Sequence, residues 1–127
     1  MCYTVSMFTS VGDLQYVAGL YEGEGNCGSR RYERKLKNSS RCQLKIKMTN
    51  REPLDKVIEI IGFGKIYGPY KDKSQPKNKP YYIYIISSFE KVQAFIAMIW
   101  LWLSHERQEQ ACDCLDKDYL YEYDYIA

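Results

Sequence analysis

Zinc-type ligand spacing is absent from this sequence. Five cysteines (2, 27, 42, 112 and 114) include no C-x-x-C pair, and the single histidine, His105, gives them no Cys/His pattern. Cys112 and Cys114 are one residue apart, which is poor ligand spacing. No long apolar run is present either. The stretch FIAMIWLWL at 95–103 is far shorter than the roughly 20 residues a bilayer requires, so it reads as a buried helix. The start, MCYTVSMFTS, lacks a basic segment ahead of an apolar core. With an odd cysteine count, that sets the expectation of reduced thiols in a cytosol-like compartment, without secretion.

What is present has the size of one domain: 127 residues, 46% hydrophobic and 27% charged. This composition excludes bulk disorder, a collagen-like fibre and a disulfide-stapled miniprotein. The net charge of +2 hides a partition. Residues 30–79 hold fifteen of the eighteen basic residues against five acids, a formal +10, while the remainder carries −8. A basic middle between acidic flanks suits a polyanionic partner. Thirteen tyrosines add rings with a polar handle, which suits a wet interface or a Tyr-rich sheet surface.

Periodicity places the elements. Ser10 and Asp13 have capping-box spacing, and Leu14, Val17, Ala18 and Tyr21 fall on one face of a helix over about 11–22, which GEG at 23–25 ends. Residues 41–48 alternate, with Cys42, Leu44, Ile46 and Met48 facing a core and Arg41, Gln43, Lys45 and Lys47 facing away. Residues 26–35 are the expected partner strand. A helix starts at Thr49-Asn50-Arg51-Glu52-Pro53. Strands follow near 65–71 and 81–87, the second with Tyr82 and Tyr84 outward and Ile83 and Ile85 inward. Ser87 and Glu90 predict the start of the apolar helix, and a more polar helix spans about 105–115. The expected order is α-β-β-α-β-β-α-α. Residues 1–115 form one domain, and 116–127 are an acidic, Tyr-rich tail or short helix.

One segment carries chemistry. Val17-Ala18-Gly19-Leu20-Tyr21-Glu22-Gly23-Glu24-Gly25 puts small residues inside a helix and two carboxylates at its end. Glycine inside a helix costs roughly 1 kcal/mol against alanine, so close approach of another helix gives it a reason. Acids at the negative helix end are unfavourable by a few tenths of a kcal/mol or more, and a divalent cation offsets that. Carboxylate and carbonyl oxygens are the hard ligands Mg²⁺ prefers.

VAGLYEGEG resembles the LAGLIDADG motif of homing endonucleases. Further strings stand in the family's order: a basic hairpin, T-N-x-E-P-L at 49–54, I-G-x-G at 61–64, a second hairpin, S-S-F-E-K at 87–91 and R-x-x-Q-A at 107–111. The resemblance implies an α+β αββαββα fold, with a four-stranded antiparallel saddle, helices on one face, and the saddle lying in the DNA major groove. It implies a site-specific double-strand DNA endonuclease that cuts a long pseudo-palindromic site and leaves short 3′ overhangs. It also implies Mg²⁺ as the metal, with Mn²⁺ or Ca²⁺ able to take its place. Neither a small-molecule cofactor nor a membrane is implied. One motif per chain implies a homodimer through Tyr16, Val17, Ala18, Gly19, Leu20 and Tyr21. Tyr21 departs from the family's aliphatic residue, because a phenol must fit near the helix pair.

Carried over, Glu24 is the metal-binding acid and the Gly23 carbonyl a second ligand. Arg107 neutralises charge building on the phosphate, and Asn50 positions a water by its amide. DNA contacts fall to Asn26, Gly28, Arg30, Tyr32 and Arg34, then Arg41, Gln43, Lys45 and Lys47, and in the second hairpin Tyr67, Lys71, Lys73, Tyr82 and Tyr84. The expected location is the cytoplasm, at the nucleoid, or an organellar matrix. A different class stays open: a DNA- or RNA-binding descendant that no longer cuts, such as an intron-splicing cofactor or a regulator. Without the resemblance, the residues read as a basic α+β module for structured RNA, which leaves Gly19 and Glu24 without a reason.

Overall fold

A computed structural model describes residues 9–31, 40–75 and 77–126, with the backbone alone described at 29–31, 40, 41 and 117–126. The elements are α1 (Val11–Glu24), β1 (Gly25–Arg31), β2 (Ser40–Met48), α2 (Glu52–Ile61), β3 (Lys65–Tyr70), β4 (Tyr81–Ile86), α3 (Phe89–Ile99), a 3-10 turn (Trp100–Trp102) and α4 (His105–Ile126). The four strands form one antiparallel sheet in the order β1-β2-β4-β3. All four helices cover one face, and the expected α+β order and sheet are those observed.

Local chemistry explains the boundaries. Ser10 caps α1, accepting the Asp13 N–H at 3.1 Å, while Asp13 reaches back to the Ser10 N–H at 3.4 Å. Helix α1 runs two residues past the expected end and closes at Gly25, whose N–H donates to the Tyr21 carbonyl. A Cβ on Gly25 would lie 2.2 Å from the Tyr21 ring, so the glycine is there for that ring. Gly62 ends α2 in the left-handed region, with φ of 94°. The cap of α3 is Ser88, which accepts the Lys91 N–H at 3.1 Å; the predicted cap, Ser87, lies one residue before it. Helix α4 continues to Ile126 because residues 105–126 contain neither glycine nor proline to stop it.

The core lies between sheet and helices, with Leu44, Ile46, Tyr84 and Ile86 from the sheet meeting Val17, Tyr21, Leu54, Val57, Phe95 and Ile99 from the helices. Its pattern corrects the reading of β4. Leu44 pairs with Ile86, Ile46 with Tyr84 and Met48 with Tyr82. Partners in register share a face, and a one-residue slip would reverse all of them. Tyr82 and Tyr84 therefore face the core, while Ile83 and Ile85 face away. Tyr84 is wholly buried and donates its hydroxyl to the Phe63 carbonyl at 2.7 Å. Gly64 makes room for it, since a Cβ there would lie 2.4 Å from the ring. The I-G-x-G string is thus the cradle of a core tyrosine.

The apolar run at 95–103 is not uniformly buried. Phe95, Ile96, Ile99 and Leu103 are in the core, but the 3-10 turn leaves Leu101 82% exposed. Among the described residues, no helix is long and apolar enough to cross a membrane.

Candidate nucleic-acid interface and metal centre

The C-terminal end of α1 meets the N-terminal end of α4, and this junction sorts the two acids of the motif. Glu22 is committed to the fold. Its carboxylate accepts the Ser104 N–H at 2.6 Å and the Ser104 hydroxyl at 2.7 Å. Ser104 in turn caps α4, its oxygen accepting the Arg107 N–H at 3.2 Å. The Ser104 N–H, its hydroxyl and the nearby Arg107 hold the Glu22 carboxyl below the usual carboxylate range. Glu24 is different. It is the last residue of α1, it is exposed, and no described residue bonds its carboxylate.

Arg107 ties the junction together. Its Nε donates to the Glu22 carbonyl at 3.2 Å, and its Nη1 donates to the Gly25 carbonyl at 2.8 Å and to Gln110 Oε1 at 2.9 Å. The guanidinium carbon stands 5.7 Å from the centre of the Tyr21 ring. A cation against last-turn carbonyls offsets the negative end of the helix dipole. The structure therefore gives Arg107 a positioning role, gripping the helix end on either side of Gly23 and Glu24. The phosphate-neutralising role expected from the sequence is not the one its Nε and Nη1 serve. The Gly23 carbonyl belongs to the last-turn carbonyls that lack a donor within the helix. Glu24 with Gly23 forms a hard-oxygen donor pair, which fits Mg²⁺, Mn²⁺ or Ca²⁺.

Asn50 shares this end of the sheet, four residues beyond Ile46, which pairs with Gly25. Its side-chain carbonyl accepts the Glu52 N–H at 3.1 Å, which ties it to the start of α2.

The helix-free face of the sheet extends from Glu24. Register aligns Asn26, Lys45, Ile85 and Lys65 in one row across all four strands, and Lys47, Ile83 and Tyr67 in the next. Gln43 pairs with Gly28 beyond them. Asn26, Lys47 and Tyr67 are exposed, while Gly28, Gln43, Lys45, Ile83 and Ile85 are half-buried. Tyr81 carries the Lys47 ammonium 4.0 Å above its ring. Lys71 and Lys73 are exposed in the connection after β3. Tyr32 and Arg34 lie outside the described residues, and the side chains of Arg30 and Arg41 are not described. Lys65, Tyr81, Ile83 and Ile85 were missed by the sequence reading. The pairing of β4 with β2 is the signal that would have found them, and it takes Tyr82 and Tyr84 out of the interface.

The outward face of α1 is also narrower than expected. Val17, Ala18 and Tyr21 are buried in the chain's own core, where Tyr21 meets Phe95 edge-on at 5.8 Å. They have no surface left for a second chain. Gly12, Gln15, Tyr16, Gly19 and Gly23 are exposed and Leu20 is half-buried. Lys56 stands over the Tyr16 ring at 4.3 Å.

A helix end offering one open carboxylate thus stands at the head of a basic four-stranded face, and the arrangement of elements around it matches a known fold. The fold is that of the LAGLIDADG homing endonucleases. The homing endonuclease I-CvuI in complex with DNA superposes with a TM-score of 0.69 at 17% identity, over 84% of this chain and 68% of that one. The meganuclease I-SmaMI bound to uncleaveable DNA gives 0.69 at 18% identity, over 91% of this chain and 39% of that one. The group I intron-encoded homing endonuclease I-CeuI complexed with DNA gives 0.66 at 12% identity, covering 94% of this chain and 59% of that one. No family model matches the sequence, and no curated protein does. The LAGLIDADG likeness is thus one of fold.

The Glu22–Ser104 link has a pH signature. A carboxylate held low in the folded chain stabilises it above its ordinary pKa of about 4.3, and the contribution is lost as pH falls through the lowered value. The protection of the Ser104 amide against hydrogen exchange, relative to its intrinsic rate, should therefore fall in acid, below the ordinary carboxylate range. In Glu22→Gln that acid-dependent loss of protection should disappear.

Proposed function

We propose that the chain is a homodimeric, divalent-metal-dependent DNA endonuclease of the homing type. The observation that carries this reading is the division between the two motif acids: Glu22 is held by Ser104, and Glu24 is exposed with no partner among the described residues. A purely structural helix end has no use for the second acid.

Glu24 and the Gly23 carbonyl would hold Mg²⁺ or a similar ion. Bound there, the ion supplies Lewis acidity and a water of lowered pKa for hydrolysis of a phosphodiester bond. The chain does the rest. Arg107 and Glu22 fix the helix end, so Glu24 is presented in one position instead of a swinging turn. Lys45, Lys47 and Lys65 meet phosphates or guanine edges, Gln43 and Asn26 suit adenine, and Ile83 and Ile85 offer apolar contact to thymine methyl groups. A nucleoid or an organellar matrix is the setting where such a face finds duplex DNA.

Cutting both strands takes two such acids, and the motif within the described residues offers one. The exposed face of α1 supplies the reason for pairing. Gly12, Gly19 and Gly23 let a second helix approach closely, with Val11 and Tyr16 as exposed apolar neighbours. A Cβ on Gly19 meets nothing within 4 Å in the single chain. Gly19→Leu should leave the folded chain intact, yet weaken dimerisation about tenfold or more, since overpacking costs typically 1–3 kcal/mol. Sedimentation velocity reads this directly.

Selection of cleaved sites from a randomised duplex library with Mg²⁺ tests the function itself. Recovery of one long pseudo-palindromic site supports the proposal. Tight binding with no scission would assign the chain to the non-cleaving binders.

A further inference from the structure

Three cysteines far apart in sequence converge behind the saddle. Cys27 on β1, Cys42 on β2 and Cys114 on α4 are all buried, and their sulfurs lie within 4.8 Å of one another. Cys27 Sγ and Cys42 Sγ are 3.6 Å apart. Tetrahedral zinc thiolate bonds of about 2.3 Å set sulfurs about 3.8 Å apart, so closing around an ion requires movements of under an ångström or so.

Two further observations point to a ligand. Cys27 and Cys114 line a pocket of about 370 Å³ whose wall also carries Glu106, Glu109 and Asp113. Carboxylates around an opening draw cations towards it. The Tyr21 hydroxyl is wholly buried and has no hydrogen-bond partner among the described residues. Buried hydroxyls are rarely left so.

We propose that Cys27, Cys42 and Cys114 form a thiolate site for a thiophilic divalent cation of the Zn²⁺ class, with its fourth position open to a water. Charge favours a dication over Cu⁺. Three thiolates leave a net −1 with Zn²⁺ but −2 with Cu⁺, and the acidic wall opposes the greater negative charge. Binding exchanges three thiol protons for the ion. The site is separate from the Mg²⁺ proposed at Glu24, whose oxygen donors suit a hard ion, and it does not depend on that reading. It would tie α4, which carries Arg107, to β1 and β2.

The test uses the reduced full-length chain titrated with Co²⁺, followed by Zn²⁺ competition. The expected result is a sulfur-to-cobalt charge-transfer band that saturates at one ion per chain and that Zn²⁺ abolishes, with a raised melting midpoint. Cys27→Ser and Cys114→Ser should each weaken binding at least tenfold. Cys112→Ser, exposed on the same helix, should give the same band as the parent. Absence of the band in the parent chain would overturn the proposal, and that reading needs no variant to fold. Persistence of the band in both Cys27→Ser and Cys114→Ser, or its loss in Cys112→Ser, would overturn it as well.

Discussion

Glu24→Gln should lower strand scission by about 10³-fold or more and leave the fold and DNA affinity intact. The size follows from what the carboxylate would hold. Metal-based charge stabilisation is worth several kcal/mol in a hydrolysis, and about 4 kcal/mol is three decades in rate. The selectivity follows from the surroundings. Glu24 is exposed and no described residue bonds its side chain, so a near-isosteric amide disturbs no packing. Affinity in metal-free buffer should be equal or tighter, because each substitution removes a negative charge facing the phosphates. Single-turnover cleavage of the selected site, beside a binding titration, separates the two effects. Scission retained within tenfold would remove Glu24 from the metal centre.

Tyr84→Ala should cost about 3–5 kcal/mol of stability, as other large aromatic truncations in cores do. That is a large share of the roughly 5–15 kcal/mol that domains possess. For a chain of this length it corresponds to a fall in melting midpoint of about 10–20 °C. The ring packs beside Phe95 at 6.1 Å and over Gly64, and its burial pushes the phenol above its ordinary pKa. Tyr84→Phe keeps the ring and loses the bond to the Phe63 carbonyl, a cost of about 1 kcal/mol. Ile83→Ser, one residue away on the helix-free face, should change stability far less and act on DNA binding instead. Were β4 turned the other way, the two positions would exchange these behaviours, so thermal melts of the pair report the register.

The difference between what the sequence shows and what it conceals is physical. Strand β2 is legible because lysine, glutamine and arginine alternate with apolar residues, and only one orientation buries the apolar set. Strand β4, YYIYII, has no such asymmetry. Tyrosine and isoleucine each serve on either face, so the orientation comes from pairing with β2 and from the space Gly64 leaves. Helix α1 announces its start through Ser10 and Asp13. Its end, and the division of labour between Glu22 and Glu24, depend on Ser104 and Arg107 more than eighty residues away. The cysteine trio is hidden for the same reason, since positions 27, 42 and 114 become neighbours only when α4 crosses behind the sheet. The position of Glu24, by contrast, is local to the motif, and both sequence and structure put it at the helix end.

Two copies of this chain, each presenting one Glu24, are proposed to act together on one duplex. Sedimentation equilibrium on the selected site, with strand breaks counted after Mg²⁺ is added, measures it most directly. The expected result is two chains per duplex and one break in each strand, with short 3′ overhangs. One chain per duplex, or DNA left intact or nicked on a single strand at saturation, would contradict it.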